Sequence, residues 1–288
     1  MKERTHKRTT SRVNRSRAGN TVALMFLLIL GAFMLLPLVF VVVNAFKPLE
    51  ELFIYPPKLF VMNPTTDNFR SMVKLMSESW VPFSRYLFNT VFLTVIGTAG
   101  HLIIASLAAY PLARHNFRGK NLIFSMIVLS LMFSSAVTQI PSYIIVSKLR
   151  LLDTHWATLL PAMQYSLGLY LIKQFMETLP DSVFEAARID GASEWRIWLT
   201  IAMPMVKPAW LTLIILMIQS LWNTISPYTY SEELKTLPQA LNQILSGGIA
   251  RTGVSAAVSL IMLSVPAVTF ILSQSQIIET MNSSGMKD

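Results

Sequence analysis

Six stretches of this chain run for most of a membrane's thickness without a single Asp, Glu, Lys or Arg: Thr21 to Phe46, Leu87 to Ala113, Leu122 to Val146, Ala157 to Ile172, Ala209 to Ser226 and Ser255 to Gln274. A helix needs about 20 apolar residues to cross a hydrocarbon core about 30 Å thick. Inside that core every backbone N–H and C=O must be paired within the segment, which leaves helices as the solution for runs of this length. The expectation is therefore an all-α membrane protein with six transmembrane helices. Composition agrees, since 53% of the 288 residues are hydrophobic and only 14% are charged. Soluble domains carry about 25% charge.

Orientation follows from the short flanking loops, where Lys and Arg concentrate on the cytoplasmic side. Lys2, Arg4, Lys7, Arg8, Arg12, Arg15 and Arg17 precede the first apolar run, and Arg114, Arg118 and Lys120 lie between the second and third. Both termini and the connection from the fourth to the fifth span are thus expected in the cytoplasm. The net charge of +9 is explained by this flanking pattern and calls for no nucleic acid. The first run is too long for the h-region of a cleaved signal and reads as a retained span. The expected organisation is a basic cytoplasmic tail (1–20), a first span (21–46), an outer loop with one or two short helices (47–86), a membrane core (87–280) containing a cytoplasmic loop at 178–204, and a short cytoplasmic tail (281–288). Cysteine is absent, which excludes disulfides and thiolate chemistry. His6, His101, His115 and His155 show no metal-ligand spacing, so an integral-membrane enzyme has no constellation to use.

The cytoplasmic loop carries the richest pattern, Pro180-Asp-Ser-Val-Phe-Glu-Ala-Ala-Arg-Ile-Asp-Gly191 followed by Ile201-Ala-Met-Pro204. Ser182 and Glu185 have capping-box spacing. Gly191 suits the left-handed residue that ends a helix, and Ser193 suits the N-cap of a second one. A short helix with the small pair Ala186 and Ala187 beside Glu185, Arg188 and Asp190 suits close docking. Local physics equally describes an ordinary helical hairpin.

The order Glu185-Ala186-Ala187, then Gly191, Ile201 and Pro204, resembles the signature of permease subunits in binding-protein-dependent ABC importers, with Met203 where the family prefers Leu. The Asp190-Gly191-Ala192 run, Trp222-Asn223, Pro266 and the Gly285-Met-Lys287 tail are similar to the carbohydrate-importing branch, which includes the second permease of the maltose system. The resemblance covers most of Leu87 to Lys287. It implies a coupling helix formed by Pro180, Phe184, Glu185, Ala186, Ala187, Asp190, Gly191, Ile201 and Pro204 that docks on a separate ATP-binding subunit. It implies further partners too: a second permease subunit, an extracytoplasmic solute-binding protein and a carbohydrate substrate. The location implied is the bacterial cytoplasmic membrane. The chain has no phosphate-binding loop of its own, so ATP and its Mg would sit on the partner, and no cofactor or catalytic residue is expected here.

Polar side chains inside the spans are the candidates for a sugar path, because polar groups in membranes face a bundle interior or water. These are Asn89, Gln139, Gln164, Tyr165, Gln219, Trp222 and Asn223, with His101 read as a packed neutral histidine. An ordinary interhelical hydrogen bond of about 1 kcal/mol accounts for each of them as well. The competing class is an ion-gradient-driven secondary transporter, which would want an intramembrane acid. No Asp or Glu lies in any of the six runs.

Overall fold

The computed structural model describes residues 17–77, 80–245, 248 and 251–285, so the basic residues before Arg17 and the last residues, 286–288, lie outside the described residues. Among the described residues the regular elements are all helices. The first apolar run is α1 (Arg17–Ala45), the second α4 (Phe83–Arg114) and the last α14 (Thr252–Gly285). These three are long and apolar enough to cross a membrane. The α14 helix runs well past the expected end at Gln274 and into the segment read as a tail. Between α1 and α4 lie two short helices, α2 (Leu49–Leu52) and α3 (Asp67–Ser77).

The third and fourth expected spans are each broken in two. One is α5 (Lys120–Ser130) followed by α6 (Ser135–Lys148), and the other is α7 (His155–Ala162) followed by α8 (Ser166–Glu177). Hydropathy could not see the first break, because Leu131-Met-Phe-Ser134 is as apolar as many helix interiors, whereas Gln164 and Tyr165 visibly interrupt the fourth run. Ser134 caps α6, its hydroxyl accepting from the Ala136 N–H.

The loop region gives α9 (Asp181–Ile189) and α10 (Glu194–Ile197), a π-helical turn (Trp198–Ala202) and α11 (Met203–Met205), followed by α12 (Lys207–Trp222). The segment Glu194–Met205 meets α12 at 77°. Proline explains the corner: Pro208 lacks the N–H that a continuous helix would pair with the Pro204 carbonyl, and its ring crowds the turn before it. The Trp210 indole N–H donates to the Met203 carbonyl at 3.0 Å, satisfying one group that the corner frees. The last short helix, α13 (Leu237–Leu245), precedes α14.

Two larger cores, with a small third one at Val146, Ala157 and Tyr228, hold this together. In the larger, α4, α8 and α12 pack around Ala105, Ala109, Ile172, Met176, Leu213 and Met217, and the loop helices bury Phe184, Ile197 and Ala202 against the same cluster. The smaller joins α3, α13 and α14 through Met72, Met76, Leu241 and Val258. The outer segment is therefore packed into the body by one face. Asn68 on α3 ties α1 to it, donating to the carbonyls of Ala45 and Lys47 at 3.0 and 2.7 Å. Gly253 on α14 permits that approach, since a Cβ there would lie 2.2 Å from the Asn68 Oδ1. Most of α1 is exposed apolar surface from Val22 to Phe40, the right surface for lipid.

Candidate functional site

The loop helix α9 is divided by its own periodicity. Phe184 and Ala187 point inward, with Phe184 2% exposed, and burial of a Phe side chain stabilises by about 2 to 3 kcal/mol. Ser182, Glu185, Ala186 and Ile189 fall at the i, i+3, i+4, i+7 spacing of the opposite face, and all are exposed. Ile189 is 85% exposed, as bare an aliphatic side chain as the described residues offer on this face. Among the expected docking residues, then, Glu185, Ala186, Asp190 and Gly191 are at the surface while Phe184 and Ala187 are anchors. Pro180 is the N-cap of α9, Ile201 is half-buried against the core, and Pro204 is exposed beside the corner.

The expected capping box does not form. The helix starts at Asp181 with Pro180 at the N-cap, two residues earlier than that box requires, and no side chain caps it. What fixes the entry to α9 is Arg114, the last residue of α4. Its guanidinium donates to Asp181 Oδ1 at 2.5 Å, to the Leu179 carbonyl at 2.7 Å and to the Met176 carbonyl. It also sits 4.2 Å from the centroid of the Phe184 ring. Those carbonyls lie at and just past the C-terminus of α8, where a cation is favoured by the helix dipole. Sequence reading had counted Arg114 only as a topology signal. Its position as the last residue of a long apolar helix was the available clue.

The exit from α9 is a Schellman turn. Gly191 has φ +76, its N–H bonds the Arg188 carbonyl at 3.0 Å, and the Ala192 N–H bonds the Ala187 carbonyl at 3.0 Å. Ser193 then caps α10, accepting from the Arg196 N–H. Glu194 closes the loop onto the body: it accepts from Tyr110 Oη at 2.6 Å and from Arg188 Nε at 2.9 Å, with His115 Nε2 3.4 Å away. The Arg188 hydrogen bond, ahead of the Tyr110 bond, holds the Glu194 carboxyl below its ordinary value.

A second feature lies between the two helix breaks. A cleft of about 930 Å³ is lined from the α5/α6 break by Ser130, Gln139 and Ser142 and from the α7/α8 break by Gln164 and Tyr165. It shares Pro161, Gln164, Tyr165, Pro227 and Tyr228 with a neighbouring cavity of about 210 Å³ that reaches Thr158 and Ser226. Small-molecule sites span about 300 to 1,000 Å³, and irregular backbone at membrane depth is tolerated where it lines such a cavity. Ser130 Oγ donates to Ser166 Oγ at 2.7 Å, linking one break to the other.

His101 holds the second break open. Its Nδ1–H donates at 2.8 Å to the carbonyl of Met163, a group freed where α7 ends. Its ring meets Tyr165 edge-on at 5.8 Å, and Gly168 gives it room, since a Cβ there would lie 2.2 Å from Nε2.

Of the expected path residues, the cleft brings together Gln139, Gln164 and Tyr165 and leaves out the rest. Asn89 is fully buried, and its amide donates to the carbonyls of Glu233 and Lys235 at 2.7 and 2.9 Å, seating the start of α13. Trp222 is buried, Gln219 is half-buried, and the exposed Asn223 donates to the Gln219 carbonyl at 3.2 Å. Tyr228 was missed because it lies beyond the fifth apolar run. Its ring stacks on Tyr143 at 6.4 Å, and Tyr143 Oη lies 2.8 Å from Tyr230 Oη. Asp153 accepts from the Tyr230 and Ser231 N–H groups at 2.9 and 2.8 Å, fixing that loop.

The model of the family described as "binding-protein-dependent transport system inner membrane component" matches residues 101–279. Among curated proteins, Protein LplC of Bacillus subtilis is 35% identical over 196 residues, covering 67% of this chain and 63% of that protein. The polygalacturonan/rhamnogalacturonan transport system permease protein YtcP of the same organism is 33% identical, covering 64% of this chain and 62% of that protein. The sn-glycerol-3-phosphate transport system permease protein UgpE of Escherichia coli is also 33% identical, covering 63% of this chain and 65% of that protein. The chain thus aligns with slightly less than two thirds of the length of each. In fold it is similar to a chain of a bacterial ABC transporter involved in the import of the acidic polysaccharide alginate, with a TM-score of 0.76, 21% identity, and coverage of 91% of this chain and 98% of that one. With its family segment running from α4 into α14 and its long apolar helices, this chain belongs to the binding-protein-dependent transport system inner membrane components, multi-pass proteins of the bacterial cytoplasmic membrane.

Proposed function

We propose that the chain is the permease subunit of an ATP-driven importer, forming half of the translocation pathway for a carbohydrate and taking its energy from a separate ATPase through α9. The division of α9 carries this reading. An inner face locked into the core of α4, α8 and α12 and an outer face of Glu185, Ala186 and Ile189 make the helix a rigid lever with a free contact surface. A nucleotide can drive alternating access only if the two arrangements of the permease differ in how they meet the nucleotide-binding partner. The rigidly anchored helix gives such a difference a route to the spans.

Six crossings result if α1, α4, the pair α5–α6, the pair α7–α8, α12 and α14 each traverse the bilayer, with both termini and α9 in the cytoplasm. The partners are an ATP-binding dimer, a second permease subunit and an extracytoplasmic solute-binding protein. Carbohydrate as cargo draws on the relatives' names, polygalacturonan/rhamnogalacturonan for YtcP and arabinooligosaccharides for AraQ of Halalkalibacterium halodurans.

The test is reconstitution of the assembled complex in vesicles. The expected result is sugar uptake that requires ATP and is stimulated by loaded binding protein, with Glu185→Lys and Gly191→Asp hydrolysing ATP without transport. Uptake that persists without ATP but collapses with an ionophore would establish a secondary transporter instead.

A further inference from the structure

We infer that the cleft between the two helix breaks is a subsite for uncharged glycan, and that this chain's half of the pathway selects against uronates and other anionic sugars; the inference rests on the proposed importer function and narrows its cargo. Every described residue that lines the cleft and its neighbouring cavity is neutral. The polar lining includes the amides of Gln139 and Gln164 and a set of Ser and Thr hydroxyls, among them Ser130, Ser142, Thr158 and Ser226, and the rings of Tyr165 and Tyr228 line the same space.

Amides and hydroxyls both donate and accept, which matches the mixed donor and acceptor character of sugar hydroxyls. Aromatic faces match the C–H faces of pyranose rings. A carboxylate entering the same space would leave water without gaining a cation or a charge-assisted hydrogen bond, and an unpaired charge is far more costly to desolvate than a hydroxyl. Asp153 lines neither cavity and is engaged by the N–H groups of Tyr230 and Ser231 and by the Ser231 hydroxyl. Specificity of this kind arises by withholding partners from the wrong ligand. It sets the chain apart from the alginate importer that shares its fold and from YtcP, which is named for polygalacturonan, likewise a polyuronate.

The probes are a neutral trisaccharide and trigalacturonate, added without binding protein to the purified assembled complex. Saturation-transfer NMR reads direct contact with each. The expected result is transfer to the neutral sugar at least ten-fold above that to the uronate. The Gln139→Leu/Gln164→Leu variant, checked for a wild-type unfolding midpoint, should lose the neutral signal; if the pair does not fold, Gln139→Leu alone serves. Equal or stronger transfer to trigalacturonate, no transfer to either sugar, or neutral binding indifferent to the variants would each overturn the inference. ATP-dependent uptake of a uronate in vesicles would overturn it while leaving the importer function standing, whereas ATP-independent uptake would remove the importer function itself.

Discussion

The guanidinium of Arg114 lies 4.2 Å from the centroid of the Phe184 ring, joining the end of α4 to the buried face of the loop helix α9. The same side chain bonds Asp181 and two carbonyls at the end of α8 and is only 6% exposed. One side chain therefore links α9 to both α4 and α8.

Arg114→Met keeps the apolar stem and removes every donor. The Leu179 carbonyl loses its partner while the Met176 carbonyl keeps the Leu179 N–H, and an unsatisfied buried group costs about 1 to 3 kcal/mol. The assembled complex should unfold at lower temperature and lose transport-coupled ATP hydrolysis. Asp181→Asn removes only an ion pair whose acid is 83% exposed, so its effect on stability should stay within about 1 kcal/mol. Equal losses in the two variants, measured by thermal unfolding, would show that the ion pair is the element that matters.

At Gly191 the constraint is conformational alone, because a Cβ there would meet nothing within 4 Å while φ is +76. Gly191→Ala should cost about 1 to 2 kcal/mol, and Gly191→Asn less, since Asn tolerates the left-handed region. Denaturant titration of the three proteins gives the order. A larger cost for Asn than for Ala would mean that the site is sterically rather than conformationally limited.

His101 and Gly168 should be strongly coupled. Gly168→Ala drives a methyl toward the imidazole and should cost about 1 to 3 kcal/mol as overpacking. His101→Ala frees that space but strands the Met163 carbonyl. The double variant should be less destabilised than the sum of the two single variants, as expected of residues in contact. Strict additivity in thermal unfolding would show that the two side chains do not share this space.

The Arg188–Glu194 contact gives the loop a pH dependence of definite sign. A carboxyl whose folded pKa is depressed contributes stability that is present above its unfolded pKa, about 4.3 for Glu, and lost as pH falls through the lower folded value. Loop stability, followed by hydrogen exchange at α10, should therefore be constant at neutral pH and decline below about pH 4. The Glu194→Gln variant should lack that decline. A wild-type profile matching that of the variant would show that the contact does not form.

The membrane class, the long helices α1, α4, α12 and α14, the turn at Gly191 and the cap at Ser193 were all legible in the residues, because each depends on local chemistry: charge-free length, a proline, a left-handed glycine, a hydroxyl one residue ahead of a helix. The capping box at Ser182 and Glu185 has the same local form and still does not occur, since Arg114, 67 positions before Asp181 in the chain, fixes the start of α9 from outside. The helix break at 131–134 escaped notice, and the interruption at Gln164 and Tyr165 was read as part of one span, for a related reason. An apolar run has the same hydropathy whether it is straight or broken, and the break at Met163 is held by His101 on another helix. Local chemistry determined which segments are helices and which are apolar. Only tertiary packing decided which polar side chains share a cleft, because Asn89 and Gln164 are equally polar and differ in whether a neighbouring carbonyl already occupies them.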